Sequence, residues 1–338
     1  MLSRVAANVY WLNRYLERAE NYARFLDVGY DLALERRGGA AELWRSLVAA
    51  TGDLAAYHQL HPTPTKQSAI HFLALDERNG SSIYSAVLRA RENARAIRSE
   101  ITREVWEEIN QLHYFVREAA EAETWKQADP RPFFEHVKRS CQRTWGLYES
   151  TVSKYDGWHF SRLGRLVERA DKTSRILDLK YLALAPDRAP AGSNFDLVQW
   201  ASLLKSVSAF DMYKKKYGKL APRTIVEFLI FDRRFPRSIY SCLLGAGKSL
   251  KALSPAGEDR LNPVQRKLGL IRSHLEFSEV DDIIEAGVHE YLDKLQRDLN
   301  ALSTQLFETF FSVEAQLERS ETTPKSGAAG AGMTQSQS

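Results

Sequence analysis

Cysteine is almost missing from this chain: Cys141 and Cys242 are the only two among 338 residues, and no CxxC pair occurs. That excludes a disulfide framework and a cysteine-rich metal knuckle, and it fits a reducing cytoplasm. No apolar run approaches the roughly 18 residues needed to cross a membrane, so no membrane contact is expected. The N-terminus, with Arg4 followed by a mixed Tyr, Trp, Asn and Arg stretch, lacks the apolar core of a secretory leader. No stretch alternates apolar and polar residues at strand spacing. An excess of one charge is missing as well. The 47 basic and 43 acidic residues leave a net +4, which permits an anionic partner without arguing for one.

Catalytic signatures are equally thin. The eight histidines show no metal-ligand spacing, and His289-Glu290 has no second His one helical turn on, so no metal is expected. Leu244-Gly245-Ala246-Gly247-Lys248-Ser249 ends like a phosphate-binding loop, but Cys242 stands where its first Gly is needed. The run from Tyr213 through Lys214, Lys215, Lys216 and Tyr217 to Lys219 interleaves lysine with aromatics, as a nucleic-acid surface would. Its counterpart, Tyr57-His58-Gln59-Leu60-His61, is not basic, so nucleic acid is the weakest of the partners considered.

What the chain does have is a repeat. At a fixed offset of 151, Leu12, Arg14, Glu17, Arg18, Ala19, Arg24, Leu26, Asp27 and Tyr30 each meet an identical residue between Leu163 and Tyr181. At an offset of 156, Trp44, Ser46, Leu47 and Tyr57 meet Trp200, Ser202, Leu203 and Tyr213. The same offset aligns Phe72-Leu73, Asp76, Arg78 and Ser82-Ile83-Tyr84-Ser85 with Phe228-Leu229, Asp232, Arg234 and Ser238-Ile239-Tyr240-Ser241. Matches at long, constant offsets are the mark of tandem duplication. The chain reads as all-α: about ten helices in two tandem, pseudo-two-fold-related units, with a disordered C-terminal tail. The expected domain covers residues 1–319, its repeats are about 1–157 and 158–319, and the tail is 320–338.

In chain order, helices are predicted over Ser3 to Arg36, Glu42 to Gln59 and Ser68 to Leu75. A very long one follows from Ser81 towards Asp129, since no Pro or Gly interrupts it. Phe133 to Lys154 closes the first half. The second half repeats the order and ends with Leu261 to Phe277 and Asp281 to Glu318.

Arg14, Glu17, Arg24 and Asp27 fall on the helix face opposite the Leu12, Tyr15, Ala19 and Tyr22 stripe. One reading is a solvated face laced by i,i+3 and i,i+4 pairs, each contributing about 0.2–0.5 kcal/mol. However, these charges recur while their apolar neighbours drift, Tyr15 becoming Leu166 and Tyr22 becoming Thr173. That pattern points to two ionic ridges covered by each other, with Arg18, Arg165, Arg169, Arg175 and Asp178 in the same set. Such a seam is structural, or it opens at one end into a binding cleft. A second cluster, Arg91, Glu92, Asn93 and Arg95, occurs once, because the matching stretch Gly247-Lys248-Ser249-Leu250-Lys251 lacks it. A guanidinium stripe can clamp a carboxylate or phosphate, and equally can be an ordinary basic helix face.

Four ordered motifs make the chain similar to the bacterial alpha-E family, all-helical proteins named for a Glu-Arg motif. They are Met1-Leu2-Ser3-Arg4-Val5-Ala6 with Tyr10 to Glu20; Ala90 to Arg95 with Trp106 and Asn110; Gly157-Trp158-His159-Phe160 leading to Leu163 to Asp171; and Phe235-Pro236-Arg237-Ser238-Ile239. Asn13 departs from the pattern that Gly164 follows, so the two repeated helices are not expected to approach equally closely there. The resemblance implies a genomic setting beside, or fused to, a circularly permuted ATP-grasp ligase, often with a transglutaminase-like protein. It thereby implies an accessory subunit, without a cofactor of its own, that binds a peptide or amino-acid substrate for peptide or amide ligation. The alternative is an enzyme transferring an acyl or aminoacyl group, with Glu17 or Glu168 as general base.

Overall fold

The Pro-free N-terminal run forms α1 (Ser3–Glu35), and its counterpart forms α8 (Asp156–Leu182). These come from a computed structural model that describes residues 1–35, 40–122, 129–182, 194–254 and 261–312. Between them lie α2 (Ala40–Thr51), α3 (Leu54–Leu60), α4 (Lys66–Ala74), α5 (Ile83–Ala96), α6 (Arg103–Glu121) and α7 (Arg131–Thr151). After α8 come α9 (Asn194–Ser206), α10 (Phe210–Tyr217), α11 (Pro222–Phe231), α12 (Ile239–Ala252), α13 (Pro263–Phe277), α14 (Val280–Ala286) and α15 (Val288–Phe310). Among the described residues there are fifteen helices and no strand. The expected tail, 320–338, lies outside the described residues.

The helix count exceeds about ten because four expected helices break where a single residue or cap intervenes. Gly52, at φ +86°, separates α2 from α3, and Ser208, at φ +52°, separates α9 from α10. The two are counterparts at the 156 offset, so a left-handed residue recurs at one position of the repeat. The long helix expected from Ser81 stops at Ala96, although no Pro or Gly is present. Thr102 starts α6 by accepting the Val105 N–H on its hydroxyl, and buried Ile97 and Ile101 pin the bend. Gly287, at φ +106°, divides α14 from α15.

The two long helices run side by side in the same direction through the middle of the molecule. α1 packs on α5, α7 and α9, while α8 packs on α12, α15 and α2. Each is therefore enclosed on several sides, which is why both the apolar stripe and the charged stripe of α1 are buried: Leu12, Glu17, Ala19 and Glu20 are all at 0% exposure. The helices touch most closely at Gly164, where an added Cβ would lie 2.3 Å from the Tyr10 carbonyl oxygen. At the corresponding point on the other edge, Asn13 occupies the glycine's place and Ser161 that of the tyrosine. There Ser161 Oγ donates to Asn13 Oδ1 at 2.8 Å. A large residue against none on one edge balances two middling ones on the other.

Candidate functional site

The recurrent charges meet along the α1–α8 contact. Glu168 accepts from Arg14 Nε at 2.7 Å and from Arg18 Nε at 2.8 Å, with Lys172 Nζ at 3.6 Å. Glu17 accepts two bonds from Arg169, Nε and Nη2, both at 2.8 Å. The Arg18–Glu168 and Arg169–Glu17 pairs are thus reciprocal across the two copies. The reciprocity fails at Arg165, the counterpart of Arg14. It turns to the partly exposed Glu149 at 3.2 Å and lies over the Trp145 ring, leaving its buried Nε without a partner. Arg237 takes its place beside Glu17 at 3.2 Å and also pairs with Glu20. The residue corresponding to Arg237 in the first half is Ser81, so the repeat alone gives no hint of this contact.

Arg24 and Arg175 have matching tasks at the ends of the seam. Arg24 pairs with Glu20 at 2.7 Å, and its Nη1 donates to the Ser206 carbonyl and to Ser208 Oγ, each at 2.9 Å. Arg175 pairs with Asp171 at 3.0 Å and reaches the Ala50 carbonyl at 3.4 Å. Ala50 and Ser206 are counterparts, so each long helix caps the C-terminus of a helix from the other half with an arginine. Glu20 and Arg24 pair locally at i,i+4, whereas Arg14 bonds across the seam to Glu168.

Electrostatics decide what the two glutamates can do. Burial raises the Glu168 carboxyl, but Arg18, Arg14 and Lys172 outweigh it and hold the acid well below the usual range. For Glu17 burial is likewise overcome by Arg169 and then Arg237. Glu20, similarly buried, is drawn down to about 2 by Arg237 and Arg24. Carboxylates stabilised in this way are weak proton acceptors at neutral pH. Nor does Glu17 or Glu168 line any of the cavities described below. The geometry argues against either as a general base and makes the seam an orienting device.

The once-only cluster stands apart from this seam. Arg91 Nε donates to Asn110 Oδ1 at 2.8 Å, its Nη1 meets Glu92 at 3.1 Å, and its guanidinium lies 5.9 Å from the Trp106 ring centroid. Arg95 pairs with Glu92 at 2.6 Å, and Asn93 donates to the Arg89 carbonyl at 2.9 Å. The Arg91 contacts with Asn110 and Trp106 tie α5 to α6, while those of Glu92 and Asn93 stay within α5 and leave the Arg95 side chain 68% exposed. Arg98, just beyond the end of α5, lies over the same Trp106 ring at 5.7 Å, and its Nη1 donates to the Ile101 carbonyl at 3.4 Å.

One end of the seam opens. A cavity of about 220 Å3 is lined by Arg24, Asp27 and Asp31 from α1, Lys138 from α7, and Ser202, Lys205 and Ser206 from α9. Lys138 Nζ sits 2.6 Å from Asp27 Oδ2. Burial and then the neighbouring Asp27 raise the Asp31 carboxyl. Asp31 and Lys205 have no ion pair among the described residues, so an acid and a base remain free at the same mouth. At the matching positions of the other half stand Leu182 for Asp31 and Ala49 for Lys205. There, Asp178, the counterpart of Asp27, bonds His289 Nδ1 at 2.7 Å. Of the residues singled out in the sequence, the structure brings Arg24 and Asp27 to this mouth. Asp31, Lys138 and Lys205 were missed, and for Asp31 and Lys205 the departure from the repeat is the signal that marks them. Among the described residues no cluster of His, Cys, Asp or Glu has the makings of a metal site, and no helix is long and apolar enough to cross a membrane.

The Alpha-E family, described as a predicted alpha-helical domain with a conserved ER motif, matches residues 1–311. Curated relatives include an uncharacterized protein of Mycobacterium bovis and one of Mycobacterium tuberculosis. Each is 23% identical over 324 residues, covering 88% of this chain and 35% of the relative. The chain thus spans about a third of the length of the curated relatives it matches. No solved structure matches it.

Proposed function

The chain belongs to the Alpha-E family, and on that premise we propose that it is the accessory, substrate-binding component of an ATP-grasp-dependent peptide or amide ligation system. The observation that carries this reading is the mixed-charge mouth at the end of the seam. A free α-amino acid presents an ammonium and a carboxylate a few ångströms apart, and a peptide terminus presents one of the two. Asp27 and Asp31 suit the first, and Lys138 and Lys205 the second. Its small volume selects a ligand of amino-acid size. The seam behind the mouth adds fixed positive charge: Arg14, Arg18, Arg24, Arg169, Lys172, Arg175 and Arg237 face the carboxylates of Glu17, Glu20, Glu168 and Asp171. A relative that carries this domain as 35% of a longer chain is consistent with a domain that works beside others.

We also infer that residues 1–319 form one domain of two duplicated units about a pseudo-two-fold axis along α1 and α8. The reciprocal pairs and matched packing partners support it. The protein is placed in the bacterial cytoplasm on this reading, with a circularly permuted ATP-grasp ligase as partner and a transglutaminase-like protein as an associate. The test is co-purification with the ATP-grasp ligase of the same genome, followed by ATP-dependent ligation with and without this chain. Asp31→Asn and Lys205→Gln should leave the complex intact and lower ligation. A ligase that neither binds the chain nor responds to it removes the proposal.

A further inference from the structure

The largest cavity described in the molecule, about 620 Å3, lies far along the chain from the seam residues of α1, between α10, α11 and the turn from Asp232 to Pro236. Its apolar lining includes Met212, Tyr217, Phe228, Phe231 and Phe235, and Lys216, Arg233 and Arg234 supply positive charge. Phe228 and Phe235 stack with centroids 4.9 Å apart, and Lys216 lies 5.0 Å from the Tyr217 ring and 5.8 Å from that of Phe228.

The first half contains the same scaffold without the cavity's chemistry. Tyr57, Phe72, Asp76, Arg78 and Ser82 repeat as Tyr213, Phe228, Asp232, Arg234 and Ser238. The lining does not repeat: Met212, Lys216, Tyr217, Phe231 and Phe235 stand where the first half has Ala56, Leu60, His61, Leu75 and Asn79.

The Asp-x-Arg turn shows what the change achieves. In the first half Asp76 Oδ1 accepts Arg78 Nε at 2.9 Å and Oδ2 accepts its Nη2 at 2.7 Å, so that arginine is spent on its own turn. In the second half Asp232 Oδ1 accepts the backbone N–H groups of Arg234 and Phe235 at 2.8 and 2.7 Å. Its Oδ2 takes Lys216 at 2.7 Å. With Asp232 fully engaged, the Arg234 guanidinium has no acidic partner among the described residues and stays exposed at the rim. A substitution at Lys216 has freed an arginine beside an enlarged aromatic surface.

We propose that this cavity binds a small molecule with a planar aromatic ring and an anionic group, the ring against Phe231 and Met212 and the anion on Arg234. Its volume lies within the roughly 300–1,000 Å3 range of small-molecule sites. Stacking on aromatic faces and a charge-assisted bond to a guanidinium are the interactions it offers. Arg233, which pairs with Glu276 at 3.0 Å, is already committed.

The probe is 8-anilinonaphthalene-1-sulfonate, titrated into the full chain by fluorescence, with neutral N-phenyl-1-naphthylamine in parallel. Saturable binding of the sulfonate is expected. Arg234→Gln should weaken it by about fivefold without affecting the neutral probe, as loss of one exposed charged bond implies. Phe231→Leu, which restores the first-half residue, should weaken both probes. Competition by adenosine 5′-monophosphate and by indole-3-acetate separates a phosphate-bearing ring from a carboxylate-bearing one. Both variants lie at the surface or replace one apolar group by another, and unchanged thermal melting controls for folding. Binding indifferent to Arg234→Gln, or absence of saturable binding, overturns the proposal, and neither outcome bears on the seam or its ligase.

Discussion

Replacing Glu168 by Gln keeps the side-chain volume and removes one negative charge at 0% exposure. Arg14 and Arg18 then lose their only carboxylate partner among the described residues, at 9% and 17% side-chain exposure, while Lys172 keeps Asp171. Breaking one member of a buried ion pair costs about 3–5 kcal/mol, because the stranded charge cannot regain its water. Unfolding entropy of about 2.1 cal/mol/K per residue gives roughly 0.7 kcal/mol/K for a chain of this length. The expected fall in Tm is therefore about 4–7 °C, measured by differential scanning calorimetry at neutral pH. Glu92→Gln is the matched control. Glu92 is itself 42% exposed, and of its partners Arg95 is 68% exposed while Arg91 keeps Asn110, so a loss below about 1 kcal/mol and a shift near 1 °C follow.

The pH dependence supplies a second check with a definite sign. Burial opposes ionisation of Glu168, but Arg18, Arg14 and Lys172 hold its folded-state pKa well below the ordinary value. Its stabilisation is then fully present above the unfolded pKa of about 4.3 and is lost as pH falls through the lower folded value. The gap between wild type and Glu168→Gln should hold from pH 7 to about 5 and close on further acidification. A Glu168→Gln variant that melts within 1 °C (~0.7 kcal/mol) of wild type would falsify the claim that the seam is an obligatory interior network.

Four further outcomes follow. Gly164→Ala places a Cβ 2.3 Å from the Tyr10 carbonyl, against backbone that has no rotamer to yield, and should cost about 3 kcal/mol or more in chemical denaturation. Gly52→Ala forces a side chain into a left-handed conformation and should cost about 1 kcal/mol. Ser208→Gly relieves the same strain while losing the Arg24 contact, so it should fall between neutral and about 1 kcal/mol of added stability; a large loss would mean that the hydroxyl bond dominates. Finally, Cys141 and Cys242 are both buried, and burial pushes each thiol up, that of Cys242 to about 12. Ellman's reagent should label neither in the native protein and both in guanidinium; prompt native labelling of either would contradict the packing.

The seam was legible because charge at a constant offset survived while its apolar neighbours changed. Glu17 and Glu168 could be paired in the mind before any coordinates existed. The helix breaks were harder. Gly52 is a recognisable signal, but its counterpart Ser208 is not, since serine rarely adopts positive φ and gives no local warning when packing compels it to. The turn before Thr102 contains neither Pro nor Gly, and only a capping hydroxyl ends the apparent continuity of the long helix. The open mouth was illegible for another reason. Asp31, Lys138 and Lys205 come from three helices brought together by packing alone. No periodicity connects them, and only Asp31 and Lys205 are set apart by disagreement with the repeat. A stripe drawn on an ideal α5 does not show the partners of Arg91 on the next helix, Asn110 and Trp106.

The uneven fit of Tyr10 on Gly164 and of Ser161 on Asn13 makes the junction directional. Two N-terminal halves brought together would press an asparagine side chain into tyrosine backbone along both borders. Two C-terminal halves would leave a hole at each. Each half is therefore complementary to the other and not to itself, so a fused ancestor that acquired this exchange lost the route back to a homodimer.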